Sequence, residues 1–205
     1  MEYIKFGHYP QTEDGGVQPI LWRVLDRTEE GILLISEWIL DSHKYQDDGQ
    51  PVEWNDCTLR SWLNNDFLST AFDLEEQKKL QVLPHIGERT LDERVSLLTV
   101  EELKAYENIL GVTVYDKRRR ACATPYGKLN GLFEYPGESN WGRVKVEDAD
   151  GNVKYHKCTW WWLLSHRPGN LGRALDVCYF GRLERGYWLN DLSHGPRPII
   201  LIKDL

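Results

Sequence analysis

Tyr3, Ile4, Lys5 and Phe6 alternate in polarity at the start of the chain and predict a short strand. Pro19 to Asp26 and Gly31 to Ser36 are apolar runs joined by the polar segment Arg27-Thr28-Glu29-Glu30, which predicts a hairpin. The spacing then changes: Leu59, Trp62 and Leu63 stand at i, i+3 and i+4, one apolar stripe on a helix. Ahead of them Trp54-Asn55-Asp56-Cys57-Thr58 offers capping side chains. A second helix is predicted from Leu74 to Leu80. Arg94 to Thr99 reads as a buried strand, and Thr99-Val100-Glu101-Glu102 has the spacing of a capping box that starts a short helix through Leu103 and Tyr106.

From Lys117 to Trp141 periodicity is lost, and Pro125, Gly127, Gly131, Pro136 and Gly137 interrupt the chain; the segment reads as a long irregular surface excursion. Asp150-Gly151 between Arg143 to Glu147 and Val153 to Lys157 is the strongest hairpin signal in the sequence. Thr159 to Ser165, Ala174 to Phe180, Gly186 to Asn190 and Pro198 to Lys203 follow as short strands. Alternation in Ile20 to Leu25 and Ile199 to Ile202 predicts that both belong to one buried sheet, bringing the chain ends together. No internal repeat, low-complexity tract or linker divides the chain. Residues 1–205 are therefore expected to form one α+β domain with short antiparallel strands, a few short helices and long loops.

Composition adds one unusual feature, an aromatic load of nine Trp and ten Tyr against a single Met. Such stiff, amphipathic side chains suit a loop-rich core or a recognition surface. A net charge of -7 argues against broad affinity for nucleic acid or an anionic membrane. The one basic run, Lys117-Arg118-Arg119-Arg120, is short for a nucleic-acid patch and fits a solvated loop or a partner for acidic neighbours. The opening residues lack a signal-peptide pattern and no apolar run is long enough to span a bilayer, so a cytoplasmic location is expected. Cys57, Cys122, Cys158 and Cys178 form no C-x-x-C pair; buried thiols are favoured, with disulfides left open.

Several motifs spread along the chain carry a family resemblance. Phe6-Gly7-His8-Tyr9-Pro10-Gln11, Pro19-Ile20-Leu21-Trp22-Arg23-Val24-Leu25 and Leu33-Leu34-Ile35-Ser36 open the pattern, followed by Leu59-Arg60-Ser61-Trp62-Leu63-Asn64, Phe67 and Ala123-Thr124-Pro125-Tyr126. Trp160-Trp161-Trp162-Leu163-Leu164-Ser165-His166-Arg167-Pro168-Gly169 and Gly195-Pro196-Arg197-Pro198-Ile199 close it. Together they resemble the bacterial DUF6273 domain family. The ending is also similar to that of target proteins of diversity-generating retroelements, whose fold is C-type-lectin-like and related to the formylglycine-generating-enzyme family.

In those proteins the segment between the Trp-rich strand and the final motif presents exposed, variable side chains; here it is Gly172 to His194. The resemblance implies a framework of Val177, Leu183 and Leu189. It implies surface, ligand-binding positions at Asp176, Tyr179, Arg182, Glu184, Arg185, Tyr187, Trp188, Asn190, Asp191 and His194. Pro196 departs from the usual apolar residue, and the segment is not Asn-rich as an unmutated template would be. The residue types point the same way, since Tyr, Trp and Arg are enriched at binding hot spots. Core packing and recognition both stand for Tyr187 and Trp188, because alternation turns only one of two neighbours inward. At least one of Trp160, Trp161 and Trp162 is expected in the core.

Catalysis finds little support. The six His show no H-x-x-x-H or H-E-x-x-H spacing, and Gly169-Asn170-Leu171-Gly172 serves better as a turn than as a phosphate loop. Relatives of the same broad fold oxidise cysteine with a copper-binding cysteine pair or use a three-histidine iron site. Cys158 and Cys178 could approach each other, but nothing local activates them. The expectation is a non-enzymatic module, without cofactor, that binds a protein or other macromolecule and neither nucleic acid nor membrane. The alternatives are an oxidase-like enzyme and a structural or sensor domain.

Overall fold

The computed structural model describes residues 1–112, 116–137, 142–147 and 153–203. Its strands, in chain order, begin with β1 (Tyr3–Pro10), β2 (Val17–Thr28), β3 (Gly31–Ser36), β4 (Leu80–Gln81), β5 (Val95–Ser96) and β6 (Ala121–Cys122). They continue with β7 (Arg143–Glu147), β8 (Val153–Arg167), β9 (Asn170–Val177), β10 (Tyr187–Trp188), β11 (His194–Pro196) and β12 (Ile199–Ile202). One sheet runs β1-β2-β3-β12-β4, with β5 also on β12; the other runs β10-β9-β8-β11, with β6 and β7 also on β8. These pairs are antiparallel apart from β11, which lies parallel to β8 with His194 opposite Trp160. Both predicted hairpins form: β2 meets β3 through Thr28 and Gly31, and β7 meets β8 through Glu147 and Val153, the Asp150-Gly151 turn lying outside the described residues.

β3, β12 and residues 161–164 of β8 are buried on both faces. Ile32, Leu34, Trp162, Leu164, Ile200 and Ile202 enter one apolar cluster; their neighbours Leu33, Ile35, Trp161, Leu163, Ile199 and Leu201 enter a second. Successive side chains of a strand point to opposite faces, so a continuous apolar run marks a strand covered on both sides. Each cluster draws residues from both sheets, so the sheets share their packing.

Short helices supply much of the cover. A helical run passes from α1 (Thr58–Trp62) through a π-helical turn (Leu63–Phe67) into α2 (Leu68–Ala71), burying Leu59, Leu63 and Phe67 in the first cluster. Its N-cap is Cys57, whose Sγ accepts the Arg60 N–H. Next come α3 (Leu74–Lys79), α4 (Val100–Ala105) and α5 (Glu107–Leu110), the latter two placing Leu103 and Leu110 in the second cluster. Both α3 and α4 start with a complete capping box, Asp73 with Glu76 and Thr99 with Glu102. No helix among the described residues is long and apolar enough to cross a membrane. The architecture is α+β.

The stretch from Lys117 onward is not the surface excursion its breakers predict. Arg119 to Thr124 are buried, β6 pairs Ala121 with Thr159 and Cys122 with Cys158, and α6 (Pro125–Leu129) starts at a Thr124 cap with Pro125 in its first turn. The side chains of Ala121, Cys122 and Ala123 are small enough to pack against β8, and Pro125 and Gly131 flank α6, where they are compatible with order. Residues 138–141 of that segment lie outside the described residues. Two arginines of the basic run are paired locally, Arg118 with Asp116 and Arg119 with Glu107. The strand expected from Arg94 to Thr99 shrinks to β5, because beyond it Thr99 caps α4.

Arg197 and Pro198 link the two sheets between β11 and β12. The Arg197 Nε–H donates to the Ser36 carbonyl at 2.8 Å, its guanidinium lies 5.1 Å from the Trp161 ring centroid, and the Pro198 carbonyl accepts the Ser36 N–H. Gly31 at φ +149° lets β12 approach, since a Cβ there would collide with the Ile202 carbonyl. The two expected strands do share a sheet, with β2 and β3 between β1 and β12.

Candidate functional site

The segment from Gly172 to His194 leaves β9, turns at Gly181 and Gly186, both with positive φ, and returns as β10 on the sheet edge. Of the ten expected surface positions, Arg182, Arg185, Tyr187, Trp188 and Asn190 are exposed, and Tyr179, Glu184 and Asp191 are half-buried. Asp176 and His194 are buried, at 1% and 0% exposure, which corrects their assignment to the surface. The reason is topological. Asp176 pairs with Trp162 across β9 and β8, and parallel pairing places His194 on the other side of β8, so both belong to its covered interior. Val177 and Leu189 are core residues and Leu183 packs against the second cluster, as framework positions should.

Tyr187 and Trp188 are both exposed, at 40% and 56%, because the two-residue β10 is an edge strand that, among the described residues, pairs on its β9 side alone. The Arg173 guanidinium lies over the Trp188 ring at 4.0 Å, holding the indole in place. Tyr187 lies 4.8 Å from the His194 ring and 6.3 Å from Trp160, stacked on the latter. Trp160 also stacks on Phe133 at 4.1 Å, Tyr179 lies within 5.8 Å of both rings, and Tyr135 stacks on Tyr179 at 4.8 Å. The result is a continuous aromatic surface set on the buried Trp162–His194 stack, whose rings are 4.2 Å apart. Main-chain bonds anchor it: the Phe133 N–H donates to the Ser193 carbonyl and the Tyr135 N–H to the Cys158 carbonyl.

His194 organises the base of this surface. Its Nε2 meets Asp176 Oδ2 at 3.3 Å and its Nδ1 meets Asp191 Oδ1 at 3.1 Å, while Trp162 and Trp160 flank the ring. Burial alone would push the imidazole pKa down, but hydrogen bonds to both carboxylates outweigh it and the value is raised. His194 in turn holds the Asp191 carboxyl down to about 2, against the opposing effect of its burial, and hydrogen bonds from Ser193 add to the shift. Burial pushes Asp176 up despite its bond to His194. The face around this triad carries mixed charge, with Arg182 and Glu184 paired at 2.7 Å and Arg185 exposed beside them.

The four cysteines are buried free thiols. Cys158 lies next to Cys122 rather than Cys178, with the two sulfurs 3.8 Å apart across β6 and β8. Burial pushes Cys57 up to about 12 and Cys178 up to about 11; the Cys122 thiol is raised by its contact with Cys158 and by burial. At neutral pH Cys57, Cys122 and Cys178 are thiols rather than nucleophilic thiolates. Among the described residues, no group of three or more His, Cys, Asp or Glu side chains converges to hold a metal ion.

Sequence reasoning missed Phe133, Tyr135 and Arg173 as parts of the aromatic surface. The i, i+2 spacing of Phe133 and Tyr135 was the available signal, masked by the glycines and prolines around it. Neither the curated proteins nor the solved structures give a match to this chain. A family profile does match, described as a domain of unknown function, DUF6273, over residues 29–204. That span contains β3 to β12 and the whole aromatic surface, while β1 and β2 precede it. With most of its length covered by that profile, the chain belongs to the DUF6273 family.

Proposed function

We propose that this chain is a non-enzymatic, lectin-like binding module whose aromatic and arginine-rich C-terminal face takes a protein or other macromolecular ligand. One observation carries the reading: Tyr187 and Trp188 are exposed yet held, on an edge strand backed by stacked rings and an overlying guanidinium. Large aromatic side chains fixed before binding lose little conformational freedom on contact, which is the physical basis of an aromatic hot spot. The spacing of exposed and buried positions from 172 to 194 also suits diversification by a retroelement, because Arg182, Arg185, Tyr187, Trp188 and Asn190 can change without entering the core. A reverse transcriptase and a template repeat beside the gene would support that extension. The alternative of an oxidase-like enzyme draws on the adjacency of Cys122 and Cys158 alone. Stoichiometric copper or iron in the purified protein would favour it.

The test separates binding from folding. Immobilised protein is presented with a glycan array and with lysate of the source organism, and Arg182, Arg185, Tyr187 and Trp188 are each replaced by Ala. Each truncation is expected to weaken capture by about 1 kcal/mol or more while leaving the melting temperature nearly unchanged. Trp162→Ala, by contrast, removes a fully buried ring and should cost about 3–5 kcal/mol of stability. Four surface variants that melt well below the parent, or that capture the same component as tightly, would show the face assignment to be wrong.

A further inference from the structure

A second concavity shares no lining residue with the aromatic face. Its mouth, about 420 Å³, is walled by Tyr3, Leu21, Trp38 and Val144 and narrows to a chamber of about 30 Å³. The two spaces have Arg23, Glu37, Trp38, Lys117 and Val144 in common, and Arg120 and Cys122 also line the chamber. A mouth of that size suits a small organic molecule, and the chamber has room for a water or one small polar head group.

The charges beneath it do not balance. Arg23, with its side chain 4% exposed, donates through Nε and Nη2 to the two Glu37 oxygens at 2.8 and 2.7 Å. Arg197 is wholly buried, with Nη2 3.7 Å from the same carboxylate, and neither of its Nη atoms has a hydrogen-bond partner among the described residues. Two buried guanidinium groups thus share one carboxylate. Burial and then the charge of Arg23 depress the Arg197 pKa to about 9, with Glu37 pulling the other way. At the rim Arg118 is matched by Asp116, whereas Lys117 is exposed and has no ion-pair partner among the described residues. In a chain of net charge -7, positive charge is concentrated here.

We propose that this cavity binds a small organic monoanion of the aromatic carboxylate class, its carboxylate in the narrow chamber beside Arg23 and its ring against Tyr3, Leu21 and Trp38. A cation would find Glu37 already engaged by two arginines. A single negative charge corrects the imbalance around Glu37, and a flat two-oxygen head suits the small chamber better than a tetrahedral dianion does. The apolar walls add affinity for a ring, which free phosphate lacks.

Titrating the full chain with 1-naphthoate, and following heat and tryptophan emission, tests this against 1-naphthylmethanol and inorganic phosphate. Naphthoate should saturate with a dissociation constant on the order of 0.1 mM, and the neutral alcohol should bind at least about tenfold more weakly. Lys117→Glu, an exposed change that leaves the fold intact, should weaken naphthoate by about tenfold, while Lys117→Arg keeps it. Trp188→Ala, at the other face, should leave naphthoate binding unchanged. Equal binding of acid and alcohol, displacement of naphthoate by equimolar phosphate, an unaffected Lys117→Glu variant, or failure of naphthoate to saturate would each overturn the assignment.

Discussion

His194 is the residue whose chemistry reaches furthest into the rest of the molecule. It has no exposed surface, both ring nitrogens meet carboxylates, and two indoles flank the ring, so its protonation state is tied to the rings that carry Tyr187. A histidine whose folded-state pKa is raised contributes stability that is fully present below its ordinary value of 6.5 and is lost as pH rises through the folded value. Asp191 acts with the opposite sense: its stabilisation is present above the ordinary 3.8 and disappears as pH falls through about 2. Both contributions are therefore in force between those two ordinary values, 3.8 and 6.5. The stability lost in His194→Gln is expected to be greatest in that interval and to shrink as pH rises above it. Urea unfolding of parent and variant from pH 5 to 9 measures this, and a loss independent of pH would remove His194⁺ from the account.

At the scale of the element, two capping boxes of the same sequence type carry different loads. Asp73 and Glu76 cap α3 at an exposed position, whereas Glu102 accepts both the Thr99 N–H and two N–H groups of the fully buried Arg89. Asp73→Ala should cost about 1 kcal/mol, the loss of one cap. Glu102→Ala should cost about 3–5 kcal/mol, because it also leaves Arg89 buried without its counter-charge. Denaturant unfolding of the two variants checks the contrast, and similar losses would mean that the Arg89 pair contributes little.

Both boxes were legible in the sequence because capping is a local rule; the burial of Arg89 was not, since it depends on residues 82–102 folding around it. The same division runs through the candidate site. The family resemblance placed Val177 and Leu189 in the framework and local alternation opened the question of Tyr187 and Trp188, but Asp176 and His194 sink into the interior through pairing with β8, a non-local event. Alternation called for at least one inward Trp among the three, and two-sided packing of β8 buries both Trp161 and Trp162. The order of Lys117 to Leu132 was hidden because its small residues derive their meaning from the strand they pack on.

At the scale of the whole molecule, the decisive element is β12, four residues that pair with β3 on one side and with β4 and β5 on the other. Its side chains divide between both apolar clusters. Removing residues 198–205 would delete four buried aliphatic side chains, each worth about 2–5 kcal/mol in a core, against a total stability of roughly 5–15 kcal/mol. The truncated chain is expected not to fold, read as loss of near-ultraviolet circular dichroism and red-shifted tryptophan emission; a cooperative melt in the truncated protein would contradict this.

The same insertion imposes an order on synthesis. Ile32 to Ile35 leave the ribosome early, but the strand that pairs with them is made last of the twelve described. At about 5–20 residues per second the β3 edge stays open for roughly ten to thirty seconds, an apolar template available to any extended chain nearby. A nascent chain with this topology is a natural client for a holdase that shields such an edge until Ile199 to Ile202 arrive.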